Sequence, residues 1–97
     1  MTVEQRAKTK AALHQYGYRL KRGDPVGKAW QDAIEEALAY YDEHDRVRSD
    51  LLRIRYFQHQ TEETTIERLH IGRTTYQKAH LDLLSTVAVN AAKRGLM

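Results

Sequence analysis

The sequence contains no cysteine. That excludes a disulfide framework and a thiolate metal cage, and it suits a reducing compartment. Long apolar runs are missing too, with nothing near the ~20 residues that a membrane span requires. The N-terminal stretch Met1 to Lys10 is polar and charged rather than a secretory leader. The expectation is a soluble cytoplasmic protein with no membrane partner. Its 97 residues fit one compact domain with one modest core.

Catalytic signatures are equally scarce. His14, His44, His59, His70 and His80 are too scattered for a metal-ligand spacing, and none belongs to an HExxH motif. His44 stands among Asp42, Glu43 and Asp45, which reads as an exposed helix end rather than an acid-base pair. His80 falls on the inward side of a helical pattern, where a hydrogen-bonded structural histidine is expected. There is no phosphate-binding glycine loop. The reading is a protein that is not an enzyme and uses no cofactor or metal.

What is present is charge, arranged in blocks. Residues 1–30 carry seven Lys/Arg against two acids, 31–50 carry two against seven, and 51–97 carry seven against four, giving +5, −5 and +3. Basic segments supply sequence-independent attraction to phosphate, whereas the acidic block should face away from DNA or toward a basic partner. Solvated helix faces are the plain alternative.

Apolar residues recur at three and four, not two, so the fold class is all-α, with about five helices. Thr2 and Gln5 form a capping-box pattern that opens a first helix over Val3 to Arg22, with Leu13, Tyr16 and Leu20 as its apolar stripe and Gly17 weakening its middle. The aromatic and basic stretch Tyr16 to Arg22 could track nucleic acid, but a packed aromatic with solvated cations is favoured. Gly23-Asp24-Pro25 breaks the chain and starts a second helix, Val26 to Tyr41. Its inner face is Val26, Trp30, Ala33, Ile34, Ala37, Leu38 and Tyr41, anchored by Trp30; Gln31, Asp32, Glu35, Glu36 and Asp42 form the outer, acidic face. A third helix, Arg46 to Phe57, points Val47, Leu51, Ile54 and Phe57 inward and keeps Arg48, Arg53 and Arg55 at or near the surface. The chain thus divides into an N-terminal helical part, 1–45, and a C-terminal part, 46–97, within a single domain.

From Thr61 to Val87 the sequence reads TEETTIERLHIGRTTYQKAHLDLLSTV. Thr61 can cap a short helix whose N-terminal dipole Glu62 and Glu63 complement, with Ile66 and Leu69 on its buried side. Ile71 plugs a tight turn. Gly72 caps a long helix in which Tyr76, Ala79 or His80, Leu83 and Val87 lie at helical spacing. This is a helix-turn-helix pattern, and the outer face of its second helix begins with Arg73, Thr74, Gln77 and Lys78. A recognition helix reads base edges in the major groove chiefly through such N-terminal residues. Arg and Lys suit guanine, Gln suits adenine, and Thr suits a thymine methyl or a phosphate. An antiparallel helical hairpin with a polar solvent face would share the spacing.

The segment Ile71-Gly72-Arg73-Thr74-Thr75-Tyr76, with the later Val87-Ala88, resembles the turn and recognition helix of sigma-factor region-four-like domains. Among these it is most similar to phage and prophage late-gene transcription regulators of the ArpU and RinA type. The resemblance covers residues 50–92. It implies double-stranded DNA as partner, RNA polymerase as a second partner, control of phage gene transcription in a bacterial host cytoplasm, and DNA contacts by Arg73, Thr74, Gln77 and Lys78. Two other functions remain open: a DNA-packaging component resembling a phage small terminase subunit, and a protein-interaction module whose acidic second helix binds polymerase or another regulator. A homo-oligomer fits the first two, since many helix-turn-helix proteins read half-sites as symmetric pairs.

Overall fold

Local capping chemistry sets where each helix begins. Thr2 Oγ1 accepts from the Gln5 amide at 3.1 Å and Gln5 Oε1 accepts from the Thr2 amide at 2.9 Å, so the expected capping box opens α1, Val3–Gln15. Asp24 accepts from the Val26 amide, and Pro25 occupies the first position of α2, Pro25–His44, where a missing N–H costs nothing. Asp45 closes α2 and opens α3, Arg46–Leu52, by accepting from the Arg48 amide. A π-helical segment, Arg53–Phe57, continues α3 before α4, Glu62–Leu69, and α5, Arg73–Lys93. This computed structural model describes residues 1–16 and 23–97, and those residues form an all-helical fold without strands. Among them, no helix is long and apolar enough to cross a membrane.

The long α5 is the strut on which α1, α2 and α3 pack. Tyr76, Ala79, Leu83, Leu84, Val87 and Ala91 form its buried stripe and meet Leu13 of α1, Trp30, Ile34 and Tyr41 of α2, and Leu51, Leu52 and Tyr56 in one core. The helix α1 runs antiparallel to α5: Lys8 Nζ donates to the Leu96 carbonyl at 3.4 Å, while His14, further along α1, reaches Tyr56, which contacts His80.

Several sequence-based expectations need correction. The sequence pattern carries the first helix to Arg22, yet α1 ends at Gln15 because Tyr16 takes extended dihedrals, φ −58° and ψ 132°. The turn lets the Tyr16 ring stack on Phe57 at 4.3 Å and its hydroxyl donate to Glu35 at 2.7 Å, so Tyr16 is a packing residue. Gly17 and Leu20 lie outside the described residues. Val26, assigned inward, is 56% exposed, whereas the next residue of the first turn, Gly27, is buried. Gln31, assigned to the acidic outer face, is buried: α2 packs against both α5 and α3, which widens its covered arc beyond one stripe.

In the third helical stretch, Val47 is exposed and Ile54 and Phe57 are only half-buried, while Tyr56, not expected inside, is fully buried. The π-turn explains the exchange of Phe57 for Tyr56. It adds a residue to the turn, with the Gln58 amide bonding back to the Arg53 carbonyl at 2.8 Å, and so rotates the apolar face by one position.

Candidate nucleic-acid interface

The α4–α5 corner is built from three local devices. Thr61 caps α4 by accepting from the Thr64 amide at 3.1 Å, and Glu62 and Glu63 stand in the first turn beside the positive end of the helix dipole. The fully buried residue of α4 is Thr65, whose hydroxyl donates to the Thr61 carbonyl at 2.8 Å; Ile66 and Leu69, expected to form the buried side, are half-buried at the core's edge. Thr65 is small enough to let α4 approach α3 closely, and its polar atom is satisfied within its own helix.

His70 ends α4 in the left-handed region, φ 55° and ψ 43°, with its amide turned back to the Glu67 carbonyl. Ile71 packs against the core as the expected plug. Gly72 precedes α5 with ordinary extended dihedrals, φ −78° and ψ 163°, and offers no side-chain acceptor to the first amides of α5. The connection is therefore three residues long, His70 to Gly72.

Arg73, Thr74, Gln77 and Lys78 are all exposed on the first two turns of α5. Tyr76 and Ala79, interleaved with them, are buried and fix the rotation of the helix that presents these four outward. Arg73 is held from one side, its Nη1 3.2 Å from Glu62 Oε1 at the start of α4.

Behind this face lies a polar pair, Tyr56 fully buried and His80 half-buried. The Tyr56 hydroxyl is 2.5 Å from His80 Nε2, and the rings of Tyr76 and His80 stack at 5.4 Å. Burial lowers the His80 pKa to about 4, assisted by the positive charges of Lys10, Arg55 and Arg6 and by His14. Burial also raises the Tyr56 pKa well above that of a free phenol. Both groups are therefore neutral near pH 7 and share one hydrogen bond, the structural role expected for His80.

A groove of about 330 Å³ separates α1 from this end of α5, lined by Arg6, Lys10, Glu62, Gln77, His80 and Leu81 among others. The linear sequence does not place α1 here. Its one clue is the i, i+4, i+8 spacing of Arg6, Lys10 and His14, which puts three basic side chains on one helical face.

The acidic block is arranged differently. Arg53 holds Asp42 through two hydrogen bonds, at 2.7 and 2.6 Å, and keeps that carboxyl down at a pKa of about 2. Arg48 bridges Asp45 and Asp82, Lys28 pairs with Asp32, and Arg94 lies 3.5 Å from Glu36. Much of the acidity of 31–50 is cancelled by cations of the same fold.

Compared with known proteins, the chain matches no family model, no curated protein and no solved structure.

Proposed function

We propose that the protein binds duplex DNA sequence-specifically, with α4 and α5 acting as a helix-turn-helix, and that it regulates transcription in a phage or prophage. The observation carrying the DNA reading is the outward display of Arg73, Thr74, Gln77 and Lys78 on the first two turns of α5, immediately after a three-residue turn. The regulatory role rests on the resemblance of 50–92 to sigma region-four-like phage regulators.

The division of labour follows from side-chain chemistry. Arg73 presents a planar fork that matches guanine O6 and N7, and Gln77, one turn further along, can bond adenine N6 and N7. Lys78 and Thr74 suit phosphate oxygens, which fix register without carrying sequence information. Because Gly72 lacks a capping side chain, the free amides of the first turn of α5 can also meet a phosphate.

Selection from a randomised duplex pool, followed by fluorescence anisotropy on the enriched site, tests the proposal. Arg73→Ala and Gln77→Ala are each expected to cost ~1 to 3 kcal/mol of binding and to relax preference at one base pair, and Lys78→Ala to weaken all sequences alike. An Arg73→Ala, Gln77→Ala double variant with unchanged affinity and preference would overturn it.

A further inference from the structure

We infer that Arg6 and Lys10 of α1 form a second arm of the DNA site, contacting the phosphate backbone beside the groove into which α5 is inserted. The inference rests on the duplex-DNA reading above and adds residues outside the helix-turn-helix.

Three observations carry it. First, Arg6 and Lys10 line the same groove as Gln77, one of the residues assigned to base reading, so a duplex seated on α5 passes its backbone along this face of α1. Second, the two cations are uncommitted: neither forms an ion pair with any described residue, whereas Arg48, Arg53, Arg94 and Lys28 are all engaged by carboxylates. Third, their charge is directed at this end of α5, since both depress the basicity of His80 from across the groove. The antiparallel course of α1 brings Lys10 nearer to the reading end and leaves Arg6 one turn behind, a spacing that follows a strand rather than a single anion.

Among the described residues Glu62 is the one carboxylate lining the groove, and its bond to Arg73 turns it toward α5 rather than α1. Lys8 supplies an internal control. It lies on the same helix with the same charge, but on a different face, where its Nζ donates to the Leu96 carbonyl.

The test is anisotropy with two end-labelled duplexes, one carrying the selected site and one of mixed sequence, over a salt series. Arg6→Gln with Lys10→Gln, which keeps an alkyl stem at each position, is expected to lower the slope of log affinity against log salt by about two on both duplexes, as each lost phosphate contact contributes about 0.9. Base preference should be retained, and Arg6→Lys with Lys10→Arg should restore the slope. Lys8→Gln should leave it unchanged. A slope unaffected by Arg6→Gln with Lys10→Gln, or an equal drop in Lys8→Gln, overturns the inference. If Arg73→Ala abolishes base preference while the α1 variants have no effect, only this second arm fails; if the wild-type protein binds neither duplex, the DNA reading falls with it.

Discussion

The hydroxyl of Tyr56 lies 2.5 Å from Nε2 of His80, joining the π-helical segment to the face of α5 directly behind Gln77. The pair is polar, yet it sits against the core, with Tyr56 fully buried and His14 edge-on to its ring at 4.8 Å. A buried hydroxyl and a half-buried imidazole each cost free energy unless they satisfy one another, so this bond helps to fix how α5 is rotated as well as where it lies.

Acid should therefore loosen the support of α5. The His80 pKa is about 4 in the folded protein against 6.5 for a free imidazole, so the unfolded chain takes up the proton first as pH falls. The stability contributed by neutral His80 is fully present above pH ~6.5 and lost progressively toward ~4. Allowing for partial exposure, the loss is on the order of 2 kcal/mol. His14, also shifted down by burial, adds in the same direction. Urea midpoints at pH 7 and pH 5 should differ clearly in the wild type and less in His80→Gln; equal shifts in both would contradict the assignment.

Trp30, 6% exposed at the junction of α2 with the core, should behave as a packing anchor. Trp30→Ala is expected to cost ~3 to 5 kcal/mol, a large part of the stability of a domain this size. An unchanged melting temperature would rule out its burial.

The features legible in the sequence are those governed by neighbours along the chain. Thr2 with Gln5, Asp24 before Pro25, and Thr61 before Glu62 each mark a helix start because a cap is satisfied within three residues. The exposed set Arg73, Thr74, Gln77 and Lys78 follows from helical periodicity alone. Residues governed by tertiary packing were hidden. Tyr56 took the place expected for Phe57 because a π-turn alters the period, and Gln31 was covered because α2 has two neighbours. The charge blocks misled in the same way: Asp42 and Glu36 sit in an acidic stretch of sequence but beside Arg53 and Arg94 in space. The groove joining Arg6 and Lys10 to Gln77 needs the antiparallel packing of α1 on α5, which no local pattern encodes.

His70 offers a stabilising substitution. Its left-handed dihedrals at the end of α4 disfavour a side chain with a Cβ, whereas glycine adopts them freely. His70→Gly should raise stability by up to ~1 kcal/mol, the relief of strain exceeding the entropy that glycine adds to the unfolded chain. Thermal or urea unfolding checks this, and a loss of stability would show that the His70 side chain contributes contacts outweighing the strain.

The acidic residues of α2 should be dispensable for DNA binding. Glu35 accepts from the Tyr16 hydroxyl and Glu36 lies by Arg94, both engaged within the fold. Glu35→Gln with Glu36→Gln is expected to leave affinity for the selected duplex unchanged or slightly improved, since carboxylates repel phosphates. Abolished binding in a folded double variant would mean that this face meets the partner directly.

Glu62 should affect DNA binding in the opposite sense to the basic residues, because its carboxylate both restrains and partly neutralises Arg73. The pair is open to solvent, with the two side chains 57% and 42% exposed, so it adds little to stability. Its consequence lies in geometry: an arginine tethered on one side has fewer orientations to lose when it meets a guanine edge, whereas a free one reaches any nearby phosphate. In Glu62→Gln, affinity for mixed-sequence duplex should rise several-fold as a repulsive charge is removed, while the ratio of selected to mixed affinity falls. A variant that gains equally on both duplexes would reduce Glu62 to a bulk charge, and one that changes neither would remove it, and its bond to Arg73, from the recognition surface.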